Sequence, residues 1–274
     1  MTINAYFTPE LLEEALSLKA QHGYDLHVIA GGTLMMQQIN DGLFYPEMVM
    51  GLRRAGMDSV QVNGTAVIGA AATMSQMEAL DGYAILQDAA HAIGGWAIRN
   101  MATVGGNLFN QPPYGDFCAA LLALGTQIKI QSAGAQRTVD LNAFMTSGRQ
   151  LEAGELITEL HVPRPSGLTT FHKFGRRQAN AATIVTVAAQ VEVEDGIISA
   201  ARIALGGADR VTMRSAAAEA ALINAPVSAE TVQQAAAAAA AASNPITDAI
   251  ASEWYRRRMV EVQLKRALSE LLGV

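Results

Sequence analysis

Two stretches far apart in the chain run from apolar, strand-like residues into paired glycines and then into helix-forming sequence: "HVIAGGTLMMQQIN" (27–40) and "RNMATVGGNLFNQPPYGD" (99–116). A strand that stops at Gly-Gly and restarts as a helix points several backbone N–H groups in one direction. With no Cβ, the glycines let an oxygen-rich group come close to the backbone. Aligned amides at a helix start favour a phosphate without any lysine or arginine. "AGGTL" (30–34) supplies one such loop and "TVGGN" (103–107) a second. A pyrophosphate has two phosphates to hold, so two converging loops make chemical sense. Asp116, after the second loop, can accept from a sugar hydroxyl. The plainer alternative is that each Gly-Gly is a tight turn and that Asp116 caps the helix "FCAALLALG". The chain contains neither GxGxxG nor GxxxxGK[ST], which disfavours a Rossmann dinucleotide site and the common nucleotide triphosphatase loop. The residues alone reach a phosphate or dinucleotide binder on an α+β fold.

Composition narrows the class. Half of the 274 residues are hydrophobic and 16% are charged, enough for a sizeable core. A net charge of −6 argues against a nucleic-acid partner, which needs a basic face. No apolar run reaches the roughly 18 residues of a transmembrane segment, and "MTINAYFTPELLEEAL" lacks the layout of a signal peptide. A cytoplasmic location is the expectation. Cys118 is the single cysteine, so the chain cannot alone supply the roughly four thiolates of an iron–sulfur cluster. It precedes "AALLALG" and reads as a small buried hydrophobe. The five histidines are scattered, without ligand spacing.

The chain divides into three α+β pieces, roughly 1–55, 56–165 and 166–274. In the first, Thr8 and Pro9 are set to open a helix with Leu11, Leu12, Ala15 and Leu16 on one face, and Gly23 is set to stop it. "HVIA" is a short strand and "TLMMQQIN" a second helix, with Thr33 as its candidate cap. In the second piece "VQVNGTAVIGA" predicts a hairpin with a type I′ turn at Asn63-Gly64. Helices follow at "MSQMEAL" and "YAILQDAAHAIG". "TQIKIQSAGAQRTVDL" predicts another hairpin. Two prolines and a glycine in "VPRPSG" mark a linker near 163–167. "TIVTVAAQVEVEDGIISAARIALGG" alternates at period two about Asp195-Gly196, a third hairpin. The rest is helical. Val260, Leu264, Leu268 and Leu271 recur at helical spacing, and the alanine run 235–242 carries no chemistry.

At its motifs the sequence resembles the FAD-binding medium subunit of the molybdenum hydroxylases, the group of xanthine dehydrogenase and aerobic carbon monoxide dehydrogenase. Ala30-Gly31-Gly32-Thr33 matches the family's first motif. Arg99-Asn100 with Thr103-Val104-Gly105-Gly106-Asn107 matches the second. Asp116 matches the aspartate closing the following loop, and "FHKFGRRQANAATIVTVAAQVEV" carries the family's lysine and paired arginines ahead of a strand. "GGADRVTMRSAAAEAAL" and "WYRRRMVEVQLKRAL" also fit, so the likeness spans essentially the whole chain.

The resemblance implies two FAD-binding subdomains of the PCMH (vanillyl-alcohol oxidase-like) type, 1–55 and 56–165. A C-terminal α+β domain like that of the carbon monoxide dehydrogenase flavoprotein, 166–274, would follow. By position, Ile29, Ala30, Gly31, Gly32, Thr33, Leu34 and Met35, with Thr103, Val104, Gly105, Gly106 and Asn107, would wrap the FAD pyrophosphate. Asp116 would meet a sugar-chain or flavin polar atom, and Ile157 would take the apolar flavin-contact position. Lys173 would lie at the isoalloxazine's polar edge, where a positive charge stabilises the reduced flavin; read without the resemblance, it is a solvated lysine. Leu34 departs from the Asp or Ser common there, while the backbone amides remain. Arg176 and Arg177 would line the flavin site, a subunit contact or the surface. A branched side chain at Gly32 or Gly106 would obstruct the phosphate.

In such complexes a molybdopterin large subunit oxidises the substrate, and an iron–sulfur small subunit carries electrons to the flavin. The flavin subunit then hands them to an external acceptor, typically within a dimer of heterotrimers. No catalytic acid or base, and no metal ligand, is expected on this chain. The rival expectations are a self-sufficient flavin oxidoreductase on a related fold and a flavin-free scaffold bridging the other subunits.

Overall fold

The computed structural model of the chain describes residues 3–111, 115–177 and 180–274. Pro112, Pro113 and Tyr114 of the second glycine stretch, and Gln178 and Ala179 of the arginine stretch, lie outside the described residues.

The first piece is a three-stranded parallel sheet with two helices: β1 (Ala5–Phe7), α1 (Leu12–His22), β2 (Leu26–Ile29), α2 (Met35–Asn40) and β3 (Met48–Gly51), in strand order β1-β3-β2. The sequence pattern misses β1 and the central β3. Three and four residues are too few to show a period, and only pairing with neighbours makes them strands. Thr8 does not open α1, whose N-cap is Leu11 without a side-chain cap bond; Gly23 does stop it, at φ +56 with its N–H returned to the Lys19 carbonyl. Thr33 does not cap α2 either. The N-cap position is Leu34, again with no side-chain bond.

The second piece contains β4 (Val60–Asn63), β5 (Thr65–Gly69), α3 (Met74–Glu78), α4 (Ala84–His91), α5 (Trp96–Arg99), α6 (Val104–Leu108), α7 (Asp116–Ala123), β6 (Gln127–Gln131), β7 (Gln136–Asp140), α8 (Leu141–Thr146) and β8 (Leu156–Val162). Its sheet is antiparallel in the order β4-β5-β8-β6-β7. The predicted hairpins form, but Asn63 pairs with Thr65 about Gly64 and keeps a negative φ. A type I′ turn needs two positive φ values, so that turn assignment is wrong. Asp195 and Gly196 do supply them, at φ +51 and +79. They join β10 (Thr183–Glu194) to β11 (Ile197–Gly206).

Those two strands anchor the third piece, with β9 (Leu168–Gly175), β12 (Met213–Arg214), α9 (Ala216–Leu222), α10 (Ala229–Ala242) and α11 (Glu253–Leu272), in sheet order β12-β11-β10-β9. Within the alanine run, Ala235, Ala236, Ala239 and Ala240 are buried against the neighbouring helices, so its content is close helix packing. Val260, Leu264 and Leu268 of α11 are fully buried as their spacing predicts.

Helix α7 joins the second and third pieces. Phe117 through Ala123 are all buried, and the helix packs on α4 from one side and on β10 and β11 from the other. A helix apolar all round is stable only in such a place. Each large side chain there contributes about 1.5–3 kcal/mol. Cys118 sits in this helix with no exposure, and burial pushes its thiol up to about 12 against a small opposing pull from Arg149. Its thiolate fraction at neutral pH is therefore roughly a thousandfold below that of an exposed thiol. The expected result is that iodoacetamide leaves the native chain unmodified and adds one group after denaturation. Fast labelling of the folded protein, read by intact mass, would contradict this placement.

Candidate functional site

The two glycine stretches meet. β2 runs out at Ile29, whose carbonyl takes the Leu52 amide at 2.9 Å, and the chain then turns across residues 101–102. A Cβ built on Gly31 would lie 1.8 Å from the Met101 carbonyl oxygen and 3.0 Å from the Ala102 Cα. Only a residue without a side chain can sit against that backbone. Gly32 follows at φ +70, in the left-handed region. Because α2 starts without a cap, its leading donors stay unspent. Among the described residues, no acceptor meets the amides of Gly31, Gly32, Thr33, Leu34 or Met35.

The second stretch is built differently. Gly105 and Gly106 lie inside the first turn of α6 rather than in a turn after a strand. The Val104 amide donates to the Ala72 carbonyl at 2.8 Å, and Gly105 to the Ala70 carbonyl at 2.8 Å. Gly106 donates to the capping Oγ1 of Thr103 at 3.2 Å, and Asn107 to the Thr103 carbonyl at 3.0 Å. This corrects the expectation of a second cradle of free amides. Gly105 is glycine for packing, since a Cβ there would fall 2.8 Å from both the Cβ and the carbonyl oxygen of Ala70. What this stretch offers instead is a side chain. Asn107 is buried, and its Oδ1 has no partner. A buried acceptor left unmade costs about 1–3 kcal/mol, so it marks a place for a donor.

Arg99 and Asn100 support the turn. Arg99 bonds Glu78 at 2.8 Å and gathers the carbonyls of His91, Ile93 and Gly94 at and just beyond the end of α4. Asn100 accepts from the Ser75 hydroxyl at 2.7 Å. Arg149, which sequence reasoning passed over, donates to the carbonyls of Leu108 and Asn110 at 3.1 and 2.6 Å and closes the far end of α6. Its positive φ of 58° is the one local oddity, and that is invisible in sequence.

Asp116 and Lys173 come together. Lys173 lies within β9, ahead of β10, and its ammonium reaches Asp116 Oδ2 at 2.8 Å and the Ala92 carbonyl at 2.9 Å. The other oxygen of Asp116 accepts from Thr183 Oγ1 at 2.7 Å and from Thr186 Oγ1. Asp116 does not cap α7; Gly115 holds that position. A carboxylate has about four acceptor sites and an ammonium three donors, so roughly one of each remains uncommitted. Ile157 is buried in β8, next to Thr158, whose carbonyl takes the Ala70 amide that precedes the Gly105 contact. Arg176 turns away, donating to the carbonyls of Ala249 and Ile250, and Arg177 closes onto Asn180. A cleft of about 590 Å³ lined by Phe174, Arg176, Ile184, Ile250 and Tyr255 includes Arg176 but none of the glycine-loop residues, Asp116, Ile157 or Lys173. Among the described residues no cluster of His, Cys, Asp and Glu is set to hold a metal, and no helix is long and apolar enough to cross a membrane.

Residues 1–165 match the family described as the FAD binding domain in molybdopterin dehydrogenase. The chain belongs to that family. Residues 169–271 match the carbon monoxide dehydrogenase flavoprotein C-terminal domain, in keeping with the expected α+β architecture. Among this family's members, the chain is 27% identical to the nicotinate dehydrogenase FAD-subunit of Eubacterium barkeri, covering 97% of this chain and 95% of that one. It is 29% identical to 6-hydroxypseudooxynicotine dehydrogenase complex subunit alpha of Paenarthrobacter nicotinovorans, covering 97% and 94%. A solved carbon monoxide dehydrogenase from Hydrogenophaga pseudoflava, lacking the Mo-pyranopterin moiety of its cofactor, superposes with a TM-score of 0.93 at 27% identity, over 99% of this chain and 98% of that one.

As a medium subunit of the molybdenum hydroxylase family, the chain is an oxidoreductase component whose cofactor is FAD. Its own residues fit that group. The unspent amides of 31–35 suit a diphosphate, and the orphaned Oδ1 of Asn107 suits a hydroxyl or amino donor.

Proposed function

We propose that this chain is the FAD-carrying electron-transfer subunit of a multi-subunit molybdenum hydroxylase, receiving electrons from iron–sulfur clusters of a small subunit and passing them to an external acceptor. A molybdopterin large subunit would oxidise the organic substrate, within a dimer of heterotrimers. The observation that carries this reading is the seam between Gly31 and Met101–Ala102, which sets five unspent amides beside the stretch bearing Asn107. Family membership and relatives named as FAD-subunits support it.

FAD supplies the redox chemistry when bound. The chain's residues bind and orient it. Amides 31–35 would hold the diphosphate, with Ile29 and Ala30 leading into them. Thr103 to Gly106 would shape the facing wall from which Asn107 accepts a hydrogen bond. Ile157 would back the flavin ring, and the free N–H of Lys173 would face its polar edge, with Asp116 holding that ammonium in place. Residues 1–55 and 56–165 would act as the two FAD-binding subdomains and 166–274 as the domain that closes on them.

The purified chain is expected to be yellow, with close to one FAD per polypeptide, and to oxidise no aldehyde, purine, N-heteroaromatic or carbon monoxide by itself. Flavin reduction by such a substrate should require the co-purified partner subunits. Turnover by the isolated chain would sink the reading in favour of a self-sufficient flavin oxidoreductase, and a colourless chain unable to take up FAD would favour a flavin-free scaffold.

A further inference from the structure

The largely buried cluster at Asp116 extends beyond Asp116 and Lys173, the two residues the motifs single out. β10 carries a bulge between Thr183 and Val185, where two steps on β10 oppose one step on β9. In a regular strand, residues three apart point to opposite faces. The extra residue cancels that alternation, so Thr183 and Thr186 both reach the same oxygen of Asp116. The bulge is itself clamped. Arg256 of α11, with no exposure at all, donates to the carbonyls of Thr183 and Ile184 and pairs with Asp248 at 2.8 Å. Continuous polar contacts therefore run from α11 through the bulge to the start of α7, and from there to Lys173 and the carbonyl that ends α4.

A buried ion pair is weak evidence for stability, since apolar residues of the same volume commonly do as well. Here the pair is held with hydroxyl donors on one oxygen, the ammonium on the other, and one N–H left over. We propose that Thr183 and Thr186 are positioning residues: through Asp116 they set where the Lys173 ammonium stands and so tune the reduction potential of the flavin. This rests on the proposed place of Lys173 at the flavin's polar edge. Two hydroxyl donors partly offset the Asp116 charge and occupy Oδ1, so Lys173 remains on Oδ2 with its third N–H directed outward. Without them the carboxylate field strengthens and draws the ammonium inward. Both changes disfavour added negative charge on the flavin, so the potential falls.

The test is a spectroelectrochemical titration of the FAD-loaded chain and of Thr183→Val, Thr186→Val, Lys173→Met and each valine change combined with Lys173→Met, with Thr138→Val on β7 as a control. Both valine variants should shift the midpoint to more negative potential, in the same direction as Lys173→Met. Their shift should shrink in the Lys173→Met background, and the control should leave the potential in place. Should a valine variant lose FAD or its fold, Thr183→Ser and Thr186→Ser keep the hydroxyl and should retain the parent potential; a serine variant as displaced as valine overturns the idea. A shift with Lys173→Met but none with either valine variant defeats the proposal and leaves the site reading standing. Valine shifts undiminished without Lys173 also defeat it. No shift in any variant, Lys173→Met included, defeats the site reading and the proposal together.

Discussion

Gly31→Ala is expected to strip FAD from the chain. A single methyl group there would stand 1.8 Å from the Met101 carbonyl oxygen and 2.7 Å from its carbonyl carbon. The obstacle is backbone, not the tip of a flexible side chain, so it cannot turn aside. The loop of residues 30–35 would have to back away from Met101–Ala102, taking its five unspent amides with it. Overpacking of this kind costs about 1–3 kcal/mol, and with the displaced amides as the proposed diphosphate-binding groups, the loss is expected to fall on FAD affinity, roughly tenfold to a hundredfold. Gly106→Ala is the instructive comparison. Its Cβ would meet only Thr103 Oγ1, at 2.8 Å, a hydroxyl that can rotate away. It should lose a helix cap, about 1 kcal/mol, and keep most of its FAD. The flavin-to-protein absorbance ratio after gel filtration decides the matter. Full occupancy in Gly31→Ala would mean that the seam between the two stretches is not what holds the site.

Arg256→Met should be the most destabilising change outside the glycine loops. The side chain has no exposure, and its guanidinium meets the carbonyls of Thr183 and Ile184 and the carboxylate of Asp248. Methionine fits the volume but answers none of those acceptors. Removing one partner of a fully buried charge pair costs on the order of 3–5 kcal/mol. Here the two carbonyls left behind are on buried residues, while Asp248 is partly exposed and keeps the amides of Ile250 and Ala251, which places the cost toward the lower end. Arg258, two residues on, is largely exposed and pairs with Glu261 one turn away. Arg258→Met should cost under about 1 kcal/mol. Denaturant melts of the two variants, followed by circular dichroism, compare them directly. Equal midpoints would show that the Arg256 cluster carries no stability of its own.

Much of the molecule is legible in the amino-acid sequence because its causes are local. The Asp195-Gly196 turn needs two positive φ values, and those residue types tolerate them. Helix α11 follows from apolar residues at helical spacing, and α7 from a run too apolar for any place but the core. The two glycine motifs, with the aspartate and lysine after them, carry the resemblance from which the proposed FAD site is drawn. Hairpin existence was readable even where turn type was not, as at Asn63-Gly64.

The tertiary structure decided what depends on distant partners. Among the described residues, the amides of 31–35 in the first loop meet no acceptor, whereas those of 104–107 in the second are taken by the carbonyls of Ala70 and Ala72 and by Thr103. Sequence cannot report this, because a donor's availability is set by what packs against it. In the same way period two sends Thr183 and Thr186 to opposite faces, and a bulge pinned from α11 brings them together on Asp116. Residue types along the chain determined which cofactor chemistry is possible. Long-range packing, which alone chooses where each buried donor finds its acceptor, determined which groups are left to perform it.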